Sequence, residues 1–134
     1  EKYIDFFSNF TDGCHHRKEE LYLFPAVQWH DRQSDVIATL RDEHDRGREL
    51  MARMRSALNH GDAGSLADAM ESYADMLDEH IERENDQLLP AAEAALDAEE
   101  QRRIAAGNVY VEHDLLGEGF HEKYHALAKE LMDG

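Results

Sequence analysis

Residues His15-His-Arg-Lys-Glu-Glu-Leu-Tyr-Leu-Phe-Pro25 and His80-Ile-Glu-Arg-Glu-Asn-Asp-Gln-Leu-Leu-Pro90 spell one word twice, H-x-x-x-E-x-x-x-x-(F/L)-P. At about 3.6 residues per turn, a step of four advances about 40° around a helix and about 6 Å along it. His15 and Glu19 therefore share a face, and so do His80 and Glu84. Each pair adjoins an apolar stripe: His15 lies within two turns of Phe7, Thr11 and Tyr22, and His80 lies near Tyr73, Leu77 and Leu88. Solvated His–Glu pairs four apart are common in acidic helices, but a doubled motif with matched spacing to a terminal proline is not. Two helices that each present an imidazole and a carboxylate offer mixed nitrogen and oxygen ligation, which suits iron, manganese or zinc better than calcium.

Working outward from the repeat, the periodicity predicts helices throughout. Ala, Leu, Glu, Asp and Arg dominate, β-branched residues are sparse, and only Pro25 and Pro90 occur. The first helix is expected from Lys2 to Val27, with Ile4, Phe7, Phe10, Cys14, Leu21 and Phe24 at helical steps. A turn over Trp29–Gln33 follows. The second helix starts with Ser34 or Asp35 as N-cap, carries Ile37, Leu40, Leu50, Met51, Met54 and Leu58, and stops at His60-Gly61. The third begins at Ser65 and carries Leu66, Met70, Tyr73, Leu77, Ile81 and Leu88 as far as about Ala95. In the fourth, Gly107, Gly117 and Gly119 interrupt the region from Asp97 to Phe120 before a clear stretch from His121 to Met132, so a kink or break is expected. Short connections make successive helices antiparallel, and the expected fold is all-α, an up-down-up-down four-helix bundle with a kinked or broken last helix.

Further candidate ligands lie between and after the two copies. His44 shares a face with Ile37, Leu40 and Met51, and Gly47 one turn on leaves room for something bulky. His121 and His125 form an i, i+4 pair that can clamp one metal. His113 precedes the glycine-rich break and is a weaker candidate. His16 is read as facing outward beside Asp12, Gly13 and Glu20, and His30 and His60 fall in turns as bystanders. Cys14 fills core space, and Tyr22, Tyr73 and Tyr124 pack or line the cavity.

Composition narrows the partners. The 134 residues carry 14 basic and 30 acidic side chains for a net charge of −16, and 42% of them are hydrophobic. That apolar share supports a folded core in one domain over residues 1–134. The negative charge repels phosphate backbones and anionic headgroups, so neither nucleic acid nor a membrane surface is an expected partner, while metal cations are. No apolar run approaches the roughly 20 residues that span a bilayer. A single cysteine excludes an intrachain disulfide and any multi-thiolate metal site, and it fits a cytoplasmic location.

Taken together, Cys14-His-His-Arg-Lys-Glu-Glu20 with Leu23-Phe-Pro25, then Glu43-His44, then His80-Ile-Glu-Arg-Glu84 with Leu89-Pro90, and finally His121-Glu-Lys-Tyr-His125, resemble the hemerythrin-like family of HHE cation-binding domains. The resemblance spans nearly the whole chain. It implies a four-helix bundle around a non-haem di-iron centre bridged by oxygen and carboxylates, with other first-row metals possible. His15 and Glu19 would be the first pair, His44 the intervening ligand, and His80 and Glu84 the second pair, both glutamates bridging. The family normally adds a histidine from a helix preceding the first pair, and this sequence begins too late to contain it. Either that helix lies outside the chain, or the last helix takes its place and presents His121.

Four functional readings follow. The first is a di-iron protein that binds or senses a small diatomic ligand, O2 or NO. The second is a di-iron enzyme that consumes peroxide, as a catalase does, or acts in nitric oxide response or iron–sulfur repair. A ferritin-like site would need Glu-x-x-His on two helices, whereas Glu118-x-x-His121 and Glu122-x-x-His125 share one. A metal-free acidic interaction bundle is the bland alternative, and the doubled motif argues against it.

Overall fold

The computed structural model describes residues 1–31 and 35–133. Among these, every regular element is a helix, and five helices follow one another along the chain. Helix α1 covers residues 2–30, α2 is Asp35–His60, α3 covers residues 63–95, α4 covers residues 98–115 and α5 is Phe120–Asp133. The all-α class and the broken last helix expected from the sequence are both present. Among the described residues no helix is long and apolar enough to cross a membrane.

The repeated sequence word produces a repeated backbone feature. Glu19–Leu23 in α1 and Glu84–Leu88 in α3 wind as π-helix, and each segment opens on the motif glutamate and ends just before Phe24-Pro25 or Leu89-Pro90. The amide of Phe24 donates to the carbonyl of Glu19, and that of Leu89 to the carbonyl of Glu84, five residues back. Proline lacks an N–H and its ring crowds the carbonyl four residues earlier, so a wider turn before it accommodates the ring without ending the helix. A longer π segment, Phe7–His16, occupies the first half of α1.

The chain divides into two compact units, one built from α1, α4 and α5 and the other from α2 and α3 up to Ala94. In the first, α4 and α5 both run antiparallel to α1. His30 meets Glu100, Lys18 meets Glu112, and Tyr124 Oη donates to Asp5 3.2 Å away. Phe6, Phe10 and Phe120 surround the buried Tyr124. Burial pushes the Cys14 thiol up from its ordinary range, against the pull of the nearby Lys18 ammonium, so it remains a protonated filler of the core.

Gly107 does not break its helix. A Cβ there would lie 2.5 Å from the Tyr22 ring, so the missing side chain is what lets that ring lie against α4. The break falls instead at Gly117 and Gly119, with φ of 90° and 79°. Asp97 caps α4 by accepting from the amides of Glu99 and Glu100, while Glu100 accepts from the amide of Asp97.

In the second unit α2 and α3 are antiparallel and pack closely. A Cβ on Gly47 would come 3.2 Å from Met76 and 3.5 Å from Tyr73, so the space at Gly47 admits the side chains of α3. The buried face of α3 is Ala69, Tyr73, Met76, His80, Leu88 and Ala92; Met70 and Ile81, expected inside, are exposed, as are Leu58 on α2 and Leu21 on α1. Both faces step by three and four, and contact with α2 selects one of them.

Helix boundaries moved for local reasons. Trp29 and His30 belong to α1, whose end is tied to α4 by His30 and Glu100 at 2.7 Å, rather than to a turn. Asp31 follows as the C-cap, Arg32 and Gln33 of the expected turn and the candidate N-cap Ser34 lie outside the described residues, and Asp35 is the first residue of α2. Gly61, at φ 67°, closes α2: its amide donates to Leu58 and that of Asp62 to Ala57. Asp62 then caps α3, accepting from the Ser65 amide at 3.0 Å and its hydroxyl at 2.7 Å, so α3 starts at Ala63 rather than Ser65. A carboxylate held at a fixed turn is the stronger acceptor.

Candidate metal centre

The α2–α3 unit gathers three of the expected ligands. His44 and His80 are 1% and 2% exposed, and their rings lie 4.9 Å apart. His44, His80 and Glu84 each offer a ligand atom within 4.8 Å of the others. His80 Nε2 faces Glu84 Oε1 at 2.9 Å. Two imidazoles and a carboxylate form a donor set characteristic of non-haem iron, and one that zinc also accepts.

The other ring nitrogen of His80 is also held. Nδ1 lies 2.9 Å from Glu43 Oε2, and the second oxygen of Glu43 accepts from Arg83, which also donates to the carbonyl of Glu79 at 3.2 Å. An ionised carboxylate only accepts, so Nδ1 carries a proton toward Glu43. The approach of Nε2 to Glu84 is then bridged by a proton, on the ring or on the carboxyl, or by a cation shared by the two atoms. Donor atoms 2.9 Å apart match neighbouring ligands of an octahedral ion with bonds of about 2.1 Å. The residues present therefore fit a first-row metal.

The α1 copy of the motif is arranged differently from the expectation. His16, read as facing outward, is 3% exposed, while the side chain of His15 is 52% exposed and reaches Glu19 at 3.4 Å. Glu19 is buried, and His16 Nδ1 lies 3.6 Å from Asp12. The cause lies in the π-wound backbone: turns closed by i→i+5 bonds advance each residue by a smaller angle than an α-helix, so facing deduced at 3.6 residues per turn drifts along Phe7–His16. Three residues separate His16 from Glu19 and four separate His15 from it, and both spacings share a face.

His121 packs against Phe10, ring centroids 5.4 Å apart, and His125 is exposed with its ring 6.4 Å from that of His121. Neither belongs to a group of gathered ligand atoms among the described residues. His113 and His60 are exposed, the latter against the carbonyl of Ser56. Sequence reasoning gave no role to Glu43 or Arg83. The only local hint was that each adjoins an expected ligand, Glu43 before His44 and Arg83 before Glu84.

Fold and donor set define a helical metal-binding protein. The model of the hemerythrin HHE cation-binding domain matches residues 1–92, and the chain belongs to that family. Helices α4 and α5, with His121 and His125, lie beyond the matched span. An uncharacterized protein of Mycobacterium bovis and one of Mycobacterium tuberculosis are each 31% identical over 115 residues, covering 81% of this chain and 45% of their own length. The chain thus spans a little under half of the curated relatives it matches. No solved structure matches it.

Proposed function

We propose that the chain is a non-haem di-iron protein that binds or senses a small diatomic ligand, O2 or NO. The observation that carries this reading is the group formed by the buried His44 and His80 with the partly buried Glu84, in a family defined by cation binding. The doubled motif supports two metals rather than one, because α1 also brings a buried imidazole, that of His16, and a buried carboxylate, that of Glu19. When bound, iron supplies the electrons that a diatomic ligand draws on. The chain's residues do the rest: His44 and His80 give neutral nitrogen donors, Glu84 gives negative charge, and burial keeps bulk water from competing for open positions. The lone buried Cys14 is in keeping with a reducing, cytoplasmic setting.

Metal analysis on protein purified without added metal should return two irons per chain. The reduced protein exposed to air should then develop a visible charge-transfer band that disappears on deoxygenation. Two bound irons with no such band would rule the reading out. Oxygen evolution from peroxide above that of free iron, lost in Glu84→Ala, would point to the peroxide-consuming enzyme instead.

A further inference from the structure

Beyond the ligands themselves, we infer that Glu43 and Arg83 are positioning residues that dictate which nitrogen of His80 meets the metal. A neutral imidazole carries its proton on either nitrogen, and whichever one is hydrogen-bonded to a carboxylate keeps it. Glu43 reaches Nδ1 from the neighbouring helix, across 37 residues of sequence, and accepts its hydrogen bond at 2.9 Å. The lone pair is thereby presented at Nε2, the atom that faces Glu84. Arg83 fixes the carboxylate in turn by donating to its other oxygen, while its bond to the Glu79 carbonyl anchors the guanidinium to its own helix. Glu43 is only 13% exposed in its side chain, so water does not compete strongly for it. Geometry separates this role from ligation. Glu43 occupies the ring nitrogen opposite the one that meets Glu84.

The inference rests on His80 being a metal ligand, as proposed above, and concerns how that ligand is prepared. Carboxylates that hold a ligating histidine raise its basicity and orient its ring, and their loss typically costs about 10- to 100-fold in metal affinity. Glu43→Gln keeps the shape but removes the charge, and Arg83→Met keeps Glu43 but removes its anchor.

Zinc serves as a diamagnetic probe. Its affinity is measured by chelator competition, and nitrogen NMR of the imidazoles reports the tautomer. In the zinc-loaded wild type, His80 should bind through Nε2 with a slowly exchanging proton on Nδ1. Glu43→Gln should weaken zinc binding by about 10- to 100-fold and speed that exchange while helical content is unchanged. Arg83→Met should shift both in the same direction by less, and Arg83→Lys should recover part of the loss. Zinc affinity in Glu43→Gln within twofold of wild type, or ligation of His80 through Nδ1, overturns the assignment while leaving the metal site standing. A wild-type chain that binds neither zinc nor iron overturns both readings.

Discussion

Two adjacent histidines show how finely a residue's role depends on its backbone. His15 and His16 offer the same chemistry, yet one is half exposed and the other 3% exposed. A ligand held at full occupancy needs a fixed rotamer and a site from which water is excluded, and only His16 has the second. His16→Ala should lower the metal bound per chain, whereas His15→Ala should leave it near the wild-type value, both read by elemental analysis after purification without added metal. Equal losses in the two variants would mean that burial in α1 does not select the ligand. His80 makes a related point, since its value as a donor depends on a carboxylate 37 residues away in sequence.

At the scale of elements, glycine and the helix caps account for where the chain bends and where it does not. Gly107 belongs to the packing of α4 on α1, because the Tyr22 ring occupies the volume a methyl group would need. Gly107→Ala would gain about 1 kcal/mol of helix propensity but incur about 1–3 kcal/mol from overpacking against a rigid ring. Thermal and denaturant unfolding should therefore show net destabilisation. A stabilised variant would mean that Tyr22 moves aside at no cost. The caps respond to acid. The amide of Ser65 holds the Asp62 carboxyl below its usual range, that of Glu100 does the same for Asp97, and the His30 ring does so for Glu100. Groups lowered in the folded state contribute stability above their unfolded values and lose it as pH falls through the folded ones. Melting temperature should decline below about pH 4, and that decline should be shallower in Asp97→Ala, whose melting temperature starts a few degrees lower.

For the molecule as a whole, stability and metal content should be linked. Burying a carboxylate in an acidic chain of net charge −16 costs free energy that a cation held beside it offsets. A ligand that binds only the folded state stabilises it by about 2.7 kcal/mol at a hundredfold excess over its dissociation constant. Treatment with a strong chelator should lower the melting temperature by several degrees, and re-addition of iron should restore it. An unchanged melt would mean that folding does not depend on the metal, as in a purely structural acidic bundle.

Much of this was legible in the linear chain. The helical class, the break near Gly117, the doubled motif and the burial of His44, His80 and Glu19 follow from periodicity and composition, because apolar spacing at three and four residues is a local property that each segment carries with it. The sequence by itself therefore determined which residue types are available to a metal and on which helices. Only the tertiary structure decided which face of α3 turns inward, that His16 rather than His15 is buried, and that Glu43 and Arg83 prepare His80. The physical reason is the same in each case. Adjacent residues and three- or four-residue steps differ little in local energy, so packing between helices and the wider turns before the prolines settle the choice, and hydrogen bonds between distant residues exist only once those helices have met.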